Sequence, residues 1–255
     1  VAIPSARDSK LASTQLDYVN ERIKEGKYAD ALRDLQRFGQ DMAVFDNHQR
    51  ARWYLMRGVC RWHTGSSDDA AVDFIEAADI CDDDDKLAAA RVRGLLLKSD
   101  YRGAVAAGLE AQKRYPSSLS IWLVTKNAQI LEGMPLSEAD IPPEHRAEAD
   151  ALQMVAFSVR RAGDIHGAAD VARRAANLPS AGFFNRDTAL AYTVESIADG
   201  ALNVAFHMLQ PEDAAALSSV VDAFTPRLER LWATQSPNAL LRSVISLGYG
   251  YVFLK

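Results

Sequence analysis

Five histidines, two cysteines and a run of four aspartates are the residues of this 255-residue chain whose types could bind a metal, carry a proton or attack a substrate. His48, His63, His145, His166 and His207 never stand three or four residues apart, so no two share a helical turn as paired zinc ligands would. Cys60 and Cys81 lack any metal spacing. If the chain reverses at Gly65, Cys60 lies five residues before the turn and Cys81 sixteen after it. On antiparallel helices rising about 1.5 Å per residue the two differ by about 16 Å along the axis. A disulfide tolerates only about 7 Å. The aspartates Asp82, Asp83, Asp84 and Asp85 are contiguous, whereas a calcium loop alternates its ligands and needs a glycine and a closing glutamate. They are expected to cap and charge the N-terminus of the helix that follows. The zinc helix His-Glu-x-x-His, the phosphate loop Gly-x-x-x-x-Gly-Lys, the nucleophile elbow Gly-x-Ser-x-Gly and the dinucleotide fingerprint Gly-x-Gly-x-x-Gly are all missing. The expectation is a protein without catalytic residues, metal or cofactor.

The composition belongs to an ordinary folded chain. Hydrophobic residues make up 48% and charged ones 25%, which argues against disorder. Glycine and proline number 14 and 9, too few for a collagen-like repeat, and two cysteines cannot staple a small secreted scaffold. With 29 basic against 34 acidic residues the net charge is -5, which opposes nonspecific nucleic-acid binding because that binding is driven by cations displacing counterions. No run approaches the roughly 18 to 20 apolar residues that cross a bilayer as a helix. The chain starts at Val1 rather than Met, which reads as a processed or cut chain, and residues 1–10 lack the apolar heart of a retained signal peptide.

Self-comparison shows a short motif recurring: a Gly or Ser, a Tyr-like position two residues on, and an Ala five residues on. The instances are Gly26-Tyr28-Ala31, Gly65-Ser67-Ala70, Ser99-Tyr101-Ala104, Gly163-Ile165-Ala168 and Gly200-Leu202-Ala205. Gly133 holds the right place for a further one but is followed by Pro135 and Glu138. From Gly65 to Ser99 is 34 residues and from Ser99 to Gly133 is 34 again, while Gly26 to Gly65 is 39. The Gly or Ser suits a left-handed turn that ends one helix, and the Ala lets the next helix lie close against it. Gly58, seven residues before Gly65, offers a second close approach.

Apolar spacing then places helix pairs at 12–24 with 29–40, 49–64 with 68–80, and 85–98 with 101–115. A helix at 119–132 follows, and Pro135, Pro142 and Pro143 leave room only for a short turn after Ser137. A long helix at 144–162 pairs with 165–177, and further helices are expected at 187–198, 201–209, 211–235 and 238–254. The expected divisions are 1–133, a proline-rich junction at 134–143, and 144–255.

The period and motif resemble the tetratricopeptide-repeat (TPR) family. Tyr54 and Gly58 with Ala70, Phe74 and Ala77 fit its second repeat, Tyr101, Ala104, Ala111 and Pro116 the third, and Trp122 the early aromatic of the fourth. The match covers about residues 12–180. The resemblance implies an all-α fold, an α-solenoid of antiparallel helix pairs wound into a TPR-like superhelix, with a concave groove lined by the first helix of each pair. The positions it implies for the groove are Ser13, Leu16, Asn20 and Ile23; Arg52, Leu55, Val59 and Trp62; Lys86, Ala89, Arg93 and Leu96; and Ser120, Leu123, Asn127 and Ile130. Of these, Asn20, Arg52, Trp62, Lys86, Arg93 and Asn127 are the candidate peptide-binding residues, since asparagine serves a peptide backbone and Arg or Lys a carboxylate. The carboxylate-clamp members of the family, which grip acidic chaperone C-termini, are matched at Asn20 and Lys86 but not at Leu16, Met56 and Ala90. A chaperone C-terminus is therefore not the expected ligand.

The function expected is a non-catalytic interaction module holding a peptide or helix of an acidic protein partner. The alternative is an assembly, scaffold or sensor segment of a larger protein. The apolar run Val244, Ile245, Leu247, Tyr249, Tyr251, Val252, Phe253 and Leu254 either inserts against the preceding helices of 211–235 or, the favoured reading, meets a second copy or a missing domain. A cytoplasmic location is expected, with a periplasmic or secreted one after processing left open.

Overall fold

The computed structural model describes residues 6–39, 42 and 45–206. All regular structure among them is helical: α1 (Ala6–Lys24), α2 (Tyr28–Phe38), α3 (Asn47–His63), α4 (Ser67–Ile80), α5 (Asp85–Leu97), α6 (Tyr101–Arg114), α7 (Leu119–Leu131), α8 (Ala149–Arg161), α9 (Ile165–Ala176) and α10 (Phe183–Phe206), with single 3₁₀ turns at Glu138–Asp140 and Pro143–His145. The helices expected at 211–235 and 238–254, and the apolar segment beginning at Val244, lie outside the described residues. The chain divides into two compact units, Val1–Met134 and Pro135–Lys255. Among the described residues no helix is long and apolar enough to cross a membrane.

The repeated motif does in space what its residue types require. Gly26, Gly65, Gly133 and Gly163 adopt φ of 75°, 92°, 96° and 94°, and Ser99 adopts 60°. At each of the five the next residue donates its backbone N–H to a carbonyl five residues earlier. Ser66 N bonds Arg61 O at 2.8 Å, Asp100 N bonds Leu95 O at 3.0 Å, and Asp164 N bonds Val159 O at 3.3 Å. This is the Schellman closure, which satisfies carbonyls that a helix end would otherwise leave bare. The following helix is started by a side-chain cap where one is available: Asp100 accepts from Gly103 N at 2.9 Å and Asp164 from Gly167 N at 2.8 Å.

In the first unit each helix packs on the next in sequence, and α1, α3, α5 and α7 also touch one another in order; in the second, α8 packs on α9, α9 on α10, and α8 also meets α10. Ala31, Ala70, Ala104 and Ala168 are all fully buried, as the motif requires. Small residues let the helices sit close. A methyl on Gly58 would stand 2.9 Å from the Phe74 ring, and one on Gly94 would stand 2.6 Å from Ile75 Cγ1 and 2.9 Å from the backbone oxygen of Ala71.

Two expectations are corrected. The helix expected at 144–162 begins only at Ala149, after a 3₁₀ turn at Pro143–His145. Ser180 explains the break: its hydroxyl donates to Ala147 O at 2.9 Å and accepts from Ala149 N at 2.8 Å, taking both groups away from helical pairing. The second correction is at Gly200, which lies inside the continuous helix α10 instead of at a turn between 187–198 and 201–209. Ala201 follows it, with no side-chain acceptor to start a new helix, and a lone glycine costs a helix only about 1 kcal/mol. The remaining helix ends lie within two residues of those expected, apart from the start of α1 at Ala6 and from α10, described from Phe183 to Phe206.

Gly94→Ala is expected to destabilise the fold by about 1 to 3 kcal/mol, since Ala71 O is backbone and cannot swing away. Ser99→Gly is expected to be neutral or to stabilise by up to about 1 kcal/mol, because a side chain at positive φ is strained. Urea denaturation of both variants checks the pair, and a Gly94→Ala protein as stable as the parent would refute the close-approach reading.

Candidate functional site

The face shared by α1, α3, α5 and α7 carries the residues expected to meet a ligand. Arg52 on α3 reaches back to Asp17 on α1 at 2.8 Å, and Arg93 on α5 reaches forward to the Ser120 hydroxyl on α7 at 3.2 Å. Lys86 is exposed, and Asn20, Arg52, Arg93 and Asn127 are half-buried. Trp62 is 49% exposed, near the end of α3. Among the described residues no hydrogen bond or ion pair joins any two of these six; they form a track along one face.

Not every position implied for the groove is open. Leu16, Ala89 and Ile130 are buried in the core, and so are Leu16, Met56 and Ala90, which stand where a carboxylate clamp has polar groups. What remains open is a basic and amide track with half-buried aliphatic and hydroxyl residues, among them Ile23, Leu55, Val59, Ser120 and Leu123, beside it.

Arg93 differs from the other arginines of the first unit that face a neighbouring helix. Arg52 has Asp17, Arg57 and Arg61 share Asp73, and Arg91 has Asp79. Among the described residues Arg93 has no carboxylate at ion-pair distance; its contact is a neutral hydroxyl. Burial pushes its pKa below the ordinary arginine value, opposed by the more distant charge of Asp85. A guanidinium drawn out of water with only a hydroxyl for company favours an anion.

Beside Trp62, His63 stacks flat on Tyr28 with ring centroids 3.9 Å apart and planes 5° from parallel, and the Trp62 ring lies tilted against His63 at 5.0 Å. Burial lowers the His63 pKa, so the neutral ring is the one that belongs in the stack. Cys60 lies fully buried behind it, its thiol pushed up to about 12 by burial, which makes it unreactive.

The four aspartates separate into four roles. Asp84 caps α5, accepting from Leu87 N at 2.8 Å, as expected from its position. Asp85 accepts from Ser118 Oγ at 2.6 Å, and Asp82 pairs with Arg114 at 2.7 Å. Asp83 instead faces His48 Nδ1 at 3.0 Å, with the Cys81 sulfur close to both, one ligand atom of each lying within 4.8 Å of the other two. Single-residue spacing does not reveal this grouping, because His48 comes 35 residues earlier in the chain. The repeat period was the available signal. A second arrangement missed from sequence is Asp73, fully buried yet held by Arg57 Nε at 3.0 Å and Arg61 Nη1 at 2.9 Å, with Arg57 also over the Trp53 ring at 4.1 Å.

No protein-family model matches the chain, and no curated protein shows significant similarity to it.

The His63 stack gives a pH test. The folded state holds this imidazole neutral, so the unfolded chain binds the proton more readily. Stability from this group is complete above the ordinary histidine pKa of about 6.5 and is lost as pH falls from there toward the folded value. His63→Phe keeps a flat ring on Tyr28 and removes the proton. The urea midpoint of the parent is expected to drop more between about pH 7 and about pH 5 than that of the variant; parallel profiles would exclude the stack as the source.

Proposed function

We propose that the chain is a TPR-like α-solenoid module that binds an acidic peptide or helix of a protein partner along the face of α1, α3, α5 and α7, without catalysing a reaction. The observation that carries this reading is Arg93, half-buried and with no carboxylate at ion-pair distance among the described residues. A ligand carboxylate at that place would supply the charge that the fold does not. Lys86, one helical face along and seven residues earlier on α5, would extend the attraction, and Asn127 on the next first helix would serve a peptide backbone. Trp62 would offer apolar contact at the far side of the track. The 34-residue spacing of the turns and the recurrent closure at positive φ support the solenoid reading. Arg52 enters with Asp17 already against it, so its share in binding is smaller than that of Arg93.

An array of acidic and charge-reversed peptides tests the proposal, followed by titration of the best binder. Acidic peptides are expected to bind at micromolar affinity, weakening with salt. Arg93→Met keeps the aliphatic packing and removes the charge; it is expected to reduce affinity about tenfold or more, with the thermal midpoint little changed. Lys86→Glu should weaken binding less. Equal affinity of the parent and Arg93→Met for every acidic binder would reject this site.

A further inference from the structure

The most distinctive cluster of chemically able groups lies away from that track, where three helix ends meet. His48 is the second residue of α3, Cys81 is the residue that ends α4, and Asp83 lies in the short connection before α5. One ligand atom from each, an imidazole nitrogen, the thiol sulfur and a carboxylate oxygen, falls within 4.8 Å of the other two. His48 and Cys81 are half-buried and Asp83 is exposed, so the cluster is reachable from solvent.

We propose that His48, Cys81 and Asp83 form a zinc-binding site. The donor set is the first argument. Calcium and magnesium take oxygen ligands, whereas a nitrogen, a sulfur and one carboxylate suit zinc. The second is geometry. Tetrahedral zinc with bonds of about 2.0 to 2.3 Å keeps its ligand atoms about 3.3 to 3.8 Å apart, so the three groups need only small side-chain rotations to close on one ion.

The third argument comes from how the neighbouring charges are used. Asp84 is spent on the α5 cap, Asp85 on Ser118 and Asp82 on Arg114. Asp83 neither caps a helix nor pairs with a guanidinium; beside it stand the hydrogens that the two other prospective ligands carry, on His48 Nδ1 at 3.0 Å and on the Cys81 thiol. Zinc would take the place of those two hydrogens. Cys81 releases its thiol proton to solvent and becomes a thiolate. On His48 the Nδ1 hydrogen moves through solvent to Nε2, so the ring stays neutral with one proton and presents Nδ1. The thiolate and carboxylate then balance the two charges of the ion, so the loaded site is neutral.

Three protein ligands leave one coordination position for water. The ion would join the start of α3 to the connection between α4 and α5, tying one helical hairpin to the next.

The test uses the full chain, stripped with EDTA and titrated first with Co²⁺ as a spectroscopic probe and then with Zn²⁺. Expected is equimolar Co²⁺ uptake with a thiolate-to-cobalt charge-transfer band, displaced by Zn²⁺. The band should persist in Cys60→Ala and vanish in Cys81→Ser. His48→Ala and Asp83→Asn should each weaken Zn²⁺ binding by at least about tenfold, since even outer groups around a metal cost that much. Zn²⁺ should raise the thermal midpoint of the parent and not of Cys81→Ser, with circular dichroism confirming that both are folded. No saturable uptake at micromolar metal, or a cobalt band that survives in Cys81→Ser, would overturn the site. So would Zn²⁺ affinity unchanged in both His48→Ala and Asp83→Asn.

Discussion

One backbone closure, repeated, carries the architecture: a residue at positive φ followed by an N–H that reaches a carbonyl five residues back. At Gly26, Gly65, Ser99 and Gly163 it ends one helix in a fixed direction and the next begins within three or four residues, so the two lie side by side; after Gly133 the prolines delay the next α-helix to Ala149. With so short a connection the facing positions nearest the turn can hold only small side chains. Alanine fills them at Ala31, Ala70, Ala104 and Ala168, all fully buried. Where the closure is lost, as at Gly200, the helix runs on.

The core holds large side chains such as Leu16, Leu35, Phe74 and Ile121, but the helix seams nearest the turns are alanine, which offers little shape to fix how one hairpin sits on the next. Polar links supply ties at a separation near one period. His48 meets Asp83 and Arg52 meets Asp17 across 35 residues, Tyr115 donates to Asp82 O across 33, and Ser118 donates to Asp85 across 33. The second unit repeats the device, with Arg160 on Glu195 and Asn185 on Asp150 across 35 and Arg174 on Glu138 across 36. Exposed pairs of this kind contribute little each. Their value lies in setting the register between hairpins that an alanine surface alone specifies weakly.

How much of this is legible in the chain follows from the range of the interactions. Turns and turn-side alanines are local, set by residues within five positions of each other, so the motif predicts them at Gly26, Gly65, Ser99 and Gly163. The break before α8 is not legible, because Ser180, which enforces it, sits 31 residues from Ala149. Asp73 reads as a solvated acid in a helix already carrying Asp68, Asp69 and Glu76. Only Arg57 and Arg61, four apart on the preceding helix, hint that a carboxylate lies between them. The candidate binding track is half legible: the basic and amide residues stand on the expected helices, but Leu16, Ala89 and Ile130 are turned inward by packing that a repeat pattern alone does not resolve.

The ties are not spread evenly, and this bears on binding. Around α5 the preceding connection holds His48 through Asp83, the first turn holds α7 through Asp85 and Ser118, and the third turn holds α7 again through Arg93 and Ser120. Gly94 adds a close seat against Ile75 and Ala71 on α4. Lys86 and Arg93 are therefore mounted on a helix fixed at several points along its length. A charge on a fixed element loses less freedom when a ligand arrives than the same charge on a loose one, so less of the interaction is spent on ordering. The same tethering that sets the hairpin register thus pre-organises the charge of Arg93.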